Sequence, residues 1–184
     1  MKILRYRIEN EIRPGVFDKD ENIRDLSDHI KDWDNTTITP TEINSIRSLE
    51  FSTLPKVEKI DSLAPPISKS NIGKFICIGL NYSDHAAESG MEVPPEPVMF
   101  MKATSAVIGP NDNVIIPKNS FKSDWEVELG VIIGKEAKYI KEEQSQDHIA
   151  GYCVVNDLSE RSFQLERSGQ WVKGKSCDTF GPIG

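Results

Sequence analysis

The chain has 184 residues, 38% hydrophobic and 28% charged, with a formal charge of −7 at pH 7. That length suits one domain, or a small domain and part of a second, and the composition is that of a globular chain. The negative charge and the scattered basic residues argue against nucleic acid or an anionic membrane as partner. No Cys/His spacing suggests zinc. No apolar run approaches the ~20 residues needed to span a bilayer. Met1-Lys2-Ile3-Leu4-Arg5 turns charged before a signal-peptide core can form. Cys77, Cys153 and Cys177 are odd in number and far apart, so they are expected reduced and the protein cytoplasmic.

In chain order, residues 1–66 are expected to form a small leading domain. Strand-like runs over 2–9 and 15–26 flank the polar turn Asp18-Lys19-Asp20-Glu21-Asn22. Ile43, Ile46 and Leu49 have helical spacing after Pro40. Residues 63–70, with Pro65 and Pro66, read as a linker. Residues 67–184 then differ in character. A buried strand is expected over 75–80, and a short helix over 83–89, with Ser83 as N-cap and Gly90 as stop. Short strands are expected over 98–101 and 114–116. The segment 125–133 follows as a strand, with Trp125, Val127, Leu129, Val131 and Ile133 alternating. A polar helix over 141–149, a buried strand over 151–155 and a helix over 158–167 complete the pattern. Strands with interspersed short helices indicate an α+β fold.

Side chains alternate faces along a strand, so Glu126 and Glu128 share one face. Two readings are open: a solvated strand face, or a site where a hard cation holds both carboxylates. The apolar runs on either side suggest a sheet covered on both faces, which weakens the first reading. Asp157, just past a buried strand, adds a third carboxylate. An oxygen-rich trio of this kind suits Mg²⁺ or Mn²⁺, with Ca²⁺ also compatible. His85 and Glu88 lie three apart on the short helix, where a carboxylate can orient an imidazole as a general base. An exposed helical pair is the alternative. Arg161 and Gln164 are also three apart, and Arg161, Lys102, Lys173 and Lys175 are cations able to meet an anion. Gly174-Lys175-Ser176 lacks the leading glycine and preceding strand of a phosphate loop. Cys177, with no histidine near it in sequence, reads as structural.

Five ordered motifs resemble the fumarylacetoacetate hydrolase family, from about Lys74 to Gly184. They are Gly79-Leu80-Asn81-Tyr82-Ser83-Asp84-His85, Pro97-Val98-Met99-Phe100-Met101-Lys102 and Trp125-Glu126-Val127-Glu128-Leu129-Gly130. Gly151-Tyr152-Cys153-Val154-Val155-Asn156-Asp157-Leu158-Ser159-Glu160-Arg161 and Gly174-Lys175-Ser176-Cys177-Asp178-Thr179-Phe180 complete the set. The resemblance implies a mixed β-roll, usually dimeric, behind a variable leading domain. It implies that Glu126, Glu128 and Asp157 bind Mg²⁺ or Mn²⁺, and that His85 and Glu88 activate water on a lid. Lys175 would stabilise an oxyanion or enolate. Arg161, Gln164 and Lys102 would face the substrate, a small anionic 2-oxo or 2,4-dioxo acid.

The implied reaction is hydrolysis of a C–C bond of a 2,4-dioxo acid to pyruvate and a second acid. Similar bacterial chains include 2,4-diketo-3-deoxy sugar-acid hydrolases and chains named ureidoglycolate lyase. A lyase, isomerase or decarboxylase at the same site, or a non-catalytic module of the same fold, is the alternative. Family members continue past Gly184, so these residues are expected to hold the first part of the catalytic domain.

Overall fold

The structure is a computed structural model that describes residues 1–84, 90 and 92–184. The leading part is a four-stranded antiparallel sheet of β1 (Ile3–Ile8), β2 (Glu11–Phe17), β3 (Ile23–Asp25) and β4 (Ser62–Ala64) in the order β3-β2-β1-β4. Glu9 and Asn10 join β1 to β2 with φ of 49° and 69°. Such left-handed pairs match the twist of a two-residue hairpin. Pro14 is tolerated inside β2 because β3 pairs only with residues 15–17, so that side of the strand needs no N–H at Pro14. Helix α1 (Pro40–Arg47) starts where the Thr39 hydroxyl accepts the Glu42 N–H and Pro40 presets φ. Ile43 and Ile46 are its buried face. Val16, Leu26 and Trp33 are fully buried, with Ile38, Ile46 and Leu54 around them. The Trp33 indole N–H donates to the Gly15 carbonyl at 3.0 Å, so the ring is buried without an orphaned donor.

The remainder is built of two-stranded ladders. β5 (Phe75–Gly79) pairs with β6 (Val98–Lys102), and β9 (Val127–Ile133) with β10 (Ile149–Asn156), both antiparallel. β7 (Val107–Ile108) pairs in parallel with β12 (Gly181–Pro182), and β8 (Ser123–Asp124) with β11 (Ser159–Glu160). Helices α2 (Arg161–Leu165) and α3 (Val172–Lys175) follow β11. The two parts share packing: Ile132 and Ala150 lie against the Trp33 core. Gly134 passes so close that a Cβ there would sit 2.4 Å from the Ile38 carbonyl oxygen. The Arg7 guanidinium grips both carboxylate oxygens of Asp112 at 2.9 Å. Among the described residues no helix is long and apolar enough to cross a membrane.

Several expectations are corrected. The linker over 63–70 is partly strand: Leu63 and Ala64 extend the leading sheet as β4, opposite Tyr6 and Arg5. The strand expected over 114–116 is absent, and Ile115 and Ile116 are exposed. The segment 141–149 is a 3₁₀ run (Glu142–His148), too polar to bury a helical stripe. Residues 158–160 are not helical, because Ser159 and Glu160 pair with β8 before α2 begins. The sheets are not covered on both faces. Ile76, Ile78, Met99 and Met101 on β5–β6, and Val127, Leu129, Val131, Ile133, Tyr152 and Val154 on β9–β10, are exposed. The three cysteines are free and half-buried.

Candidate active site

The strand carrying the acidic pair is interrupted. β8 ends at Asp124, β9 begins at Val127, and Trp125 and Glu126 bridge the two. The bridge is held by its neighbours: the Glu126 N–H donates to the Asn156 side chain at 3.3 Å, and the Asp157 N–H to the Glu126 carbonyl at 2.9 Å. This brings the end of β10 beside Glu126, so Asp157 and Glu126 face each other across the ladder. Glu128 lies one step along, opposite Val155. Glu126, Glu128, Asp157, Arg161, Gln164 and Lys175 all border one cavity of about 1420 Å³.

Charges alternate through this cluster. The Lys175 ammonium donates to Glu126 Oε2 and Asp157 Oδ2, both at 2.8 Å. The Lys102 ammonium takes the other Asp157 oxygen at 2.6 Å and the Leu158 carbonyl at 2.9 Å. Arg161 Nη2 donates to Glu126 Oε1 and, at 2.8 Å, to Asp124 Oδ2. Arg161 Nη1 donates to Gln164 Oε1 at 3.1 Å. Three cations thus interleave with three carboxylates. Burial of both lysines is tolerated because every ammonium meets a carboxylate.

Burial works to raise the Asp157 carboxyl, yet the Lys102 and Lys175 ammonium groups outweigh it and hold it below the usual carboxylate range. Burial likewise drives the Lys102 ammonium below its ordinary value, against the pull of Asp157. On the same cavity wall, burial and then the Asp157 charge push the Cys77 thiol up to about 12, so it is no nucleophile at neutral pH. Phe100 lies under the Lys175 ammonium at 5.0 Å and meets Trp171 edge-on at 5.4 Å between centroids. The cavity is therefore charged at one end and aromatic beside it.

The structure gathers Glu126, Asp157, Lys175, Arg161, Gln164 and Lys102 into one network. The Lys102 ammonium is fully enclosed, on Asp157. Lys173 points away, to the Arg167 carbonyl. Among the described residues no three His, Cys, Asp or Glu side chains gather as a ready metal-ligand set. Glu126 and Asp157 instead converge on the Lys175 ammonium. His85 and Glu88, with residues 85–89 of the helix expected over 83–89, lie outside the described residues. Sequence reasoning missed Asp124, which anchors Arg161, and Glu160, which ties the surrounding loop to α2. Neither has a local sequence signal, because each acts on a segment about 40 residues away in sequence.

Fold and site together define an α+β domain that presents a carboxylate, lysine and arginine cluster at the head of one cavity. Residues 74–184 match the C-terminal domain of fumarylacetoacetate (FAA) hydrolase, and the chain belongs to this family. It is 52% identical over 184 residues to a Burkholderia multivorans protein that bears a provisional hydrolase name, covering all of this chain and 64% of that relative. It is also similar to the fumarylacetoacetate hydrolase of psychrophilic Exiguobacterium antarcticum: TM-score 0.79, 28% identity, 100% of this chain and 65% of that one. The 2-hydroxyhepta-2,4-diene-1,7-dioate isomerase of Mycobacterium marinum gives a TM-score of 0.68 at 26% identity, over 100% of this chain and 64% of that one. The chain thus spans a little under two thirds of the relatives it matches.

Proposed function

We propose that this chain carries the site of a divalent-metal-dependent hydrolase that cleaves a 2,4-dioxo acid to pyruvate and a second acid. The observation that carries this reading is the convergence of the Glu126 and Asp157 carboxylates on a single cation position at the charged end of the cavity. Glu126 and Asp157 already share one cation, here the Lys175 ammonium, and Glu128 lies on the same wall, so oxygen donors of the kind a hard divalent ion takes border one cavity. Glu126, Glu128 and Asp157 would hold it, and it would supply Lewis acidity to the 2-oxo acid end of the substrate.

The chain's own residues do the rest. Arg161, already aligned by Asp124 and Gln164, offers a planar cation to the substrate carboxylate. His85, oriented by Glu88, takes a proton from water, and the hydroxide adds to the 4-oxo carbon. Lys175 stabilises the tetrahedral oxyanion. The C3–C4 bond then breaks, its electron pair passes to C3, and a proton returned there completes pyruvate. Phe100 and Trp171 form an aromatic wall beside the charged cluster, against which an apolar part of the substrate can pack. The working protein is read as a cytoplasmic homodimer.

The likeness to the M. marinum isomerase favours a second reading, proton transfer or decarboxylation on a 2-oxo acid at the same residues. A panel of 2,4-dioxo acids with Mg²⁺ separates the two. Loss of enol absorbance with release of pyruvate and a second acid supports hydrolysis. Solvent deuterium entering C3, or CO₂ release, with the carbon chain between C3 and C4 intact supports the alternative.

A further inference from the structure

We propose that Glu160 is a positioning residue that sets the geometry of three separate segments of the site. This inference rests on the reading of Glu126, Asp157, Arg161 and Lys175 as the functional cluster. Glu160 is fully buried. Its Oε2 accepts from the Ser120 hydroxyl, from the Lys122 N–H at 3.2 Å and from the Ser123 hydroxyl at 3.2 Å. Its Oε1 accepts the Ser162 N–H at 3.1 Å and the Ser162 hydroxyl at 2.5 Å. All five donors are neutral. A buried carboxylate costs several kcal/mol unless fully hydrogen-bonded, so this many converging donors mark a residue whose charge is structurally committed.

Each donor lies on a segment that leads to a site residue. Ser120, Lys122 and Ser123 belong to the stretch entering β8. Asp124, the next residue, anchors Arg161, and Glu126 follows two positions later. The Arg161 N–H returns a bond to the Lys122 carbonyl at 2.9 Å, closing the junction. Ser162 is in the first turn of α2, whose Arg161 and Gln164 border the cavity. The third segment is α3. A Cβ on Gly174 would sit 2.4 Å from the Glu160 carbonyl and 2.7 Å from Gln164, so α3 rests directly on the Glu160 backbone. Lys175, next in sequence, is thereby aimed at Glu126 and Asp157. The hydrogen bonds from Ser120 and Ser162 hold the Glu160 carboxyl near 2 despite its burial, so it stays charged at any working pH.

The test uses the full chain and the variants Glu160→Gln and Asp18→Asn. Asp18 is a buried, multiply hydrogen-bonded carboxylate of the leading sheet, remote from the cavity, and controls for loss of a structural carboxylate. Amide exchange is followed in the metal-free proteins, and Mn²⁺ affinity is measured by titration. Glu160→Gln should raise exchange about ten-fold over both 120–126 and 172–176. It should weaken Mn²⁺ about ten-fold, the usual effect of disturbing residues that orient ligands. Asp18→Asn should do neither. If Glu160→Gln does not fold, Ser120→Ala and Ser162→Ala each remove one donor and should give smaller changes in the same two segments. Exchange confined to 160–163, or an equal effect from Asp18→Asn, overturns the proposal. Absence of Mn²⁺ binding by the unaltered chain counts against the metal reading alone, and the exchange pattern then decides the role of Glu160.

Discussion

The leading part and the β9–β10 ladder both carry apolar residues and give them opposite fates. Val16, Leu26 and Trp33 are sealed under α1 and the loop that precedes it, with no exposure. Leu129, Val131 and Val154, on strands just as regular, are 62%, 45% and 63% exposed. On β9 the other face, with Glu128, Gly130 and Ile132, is turned toward the cavity and the Trp33 core. Gly130 is needed there because a Cβ would sit 2.6 Å from Val155 and 2.7 Å from the Cys153 sulfur. The difference shows that the leading part closes its own core, whereas the site is built on sheets with one finished face and one bare face.

Substitutions sharpen that contrast, the largest effect coming first. Trp33→Ala should cost about 4 kcal/mol, since it empties a fully buried ring site and orphans the Gly15 carbonyl. Urea unfolding measures it. Lys102→Met should cost about 3 kcal/mol by leaving Asp157 short of a buried cation. Removing the exposed Lys2–Glu21 pair should cost well under about 1 kcal/mol by the same measurement. A Lys102→Met loss as small as that of the surface pair would show that the buried network is not structurally coupled.

A pH series gives a smaller effect. Glu160 titrates near 2 in the folded chain against an ordinary value of 4.5, so its depressed carboxyl stabilises the fold above about pH 4.5. That contribution fades as the pH falls toward 2. Glu160→Gln should therefore be less stable than the unaltered chain at pH 6, with the gap narrowing in urea midpoints taken between pH 4.5 and 2.5. A gap that widens on acidification would reverse the sign. The smallest effect is expected at the bare face. Leu129→Ala should change monomer stability by no more than about 0.5 kcal/mol. Leu129→Lys should change it as little, because that side chain is already exposed.

Much of the site was legible in the sequence and the contrast was not. The ordered motifs brought Glu126, Asp157, Arg161, Gln164 and Lys175 into view, and the structure joins them in one network. Local signals found α1, because Pro40 and the isoleucine spacing agree there. β7 and β12 escaped, since two-residue strands paired across more than 70 positions leave no periodic trace. Alternating apolar residues on β9 said that one face was apolar and nothing about whether it was covered. Burial of Lys102 and Glu160 depends on partners about 40 to 55 residues away, which spacing alone does not reveal.

The central claim is that Glu126 and Asp157 form a cation site that drives C–C hydrolysis. The most direct measurement is pyruvate release from an acylpyruvate by purified protein with Mg²⁺, repeated with EDTA and with Glu126→Ala. The account expects pyruvate and the second acid in equal amounts, activity abolished by EDTA, and at least a hundred-fold loss in Glu126→Ala, on the order seen when a charge-stabilising group is removed. Undiminished pyruvate release by Glu126→Ala, or release indifferent to EDTA, would contradict it.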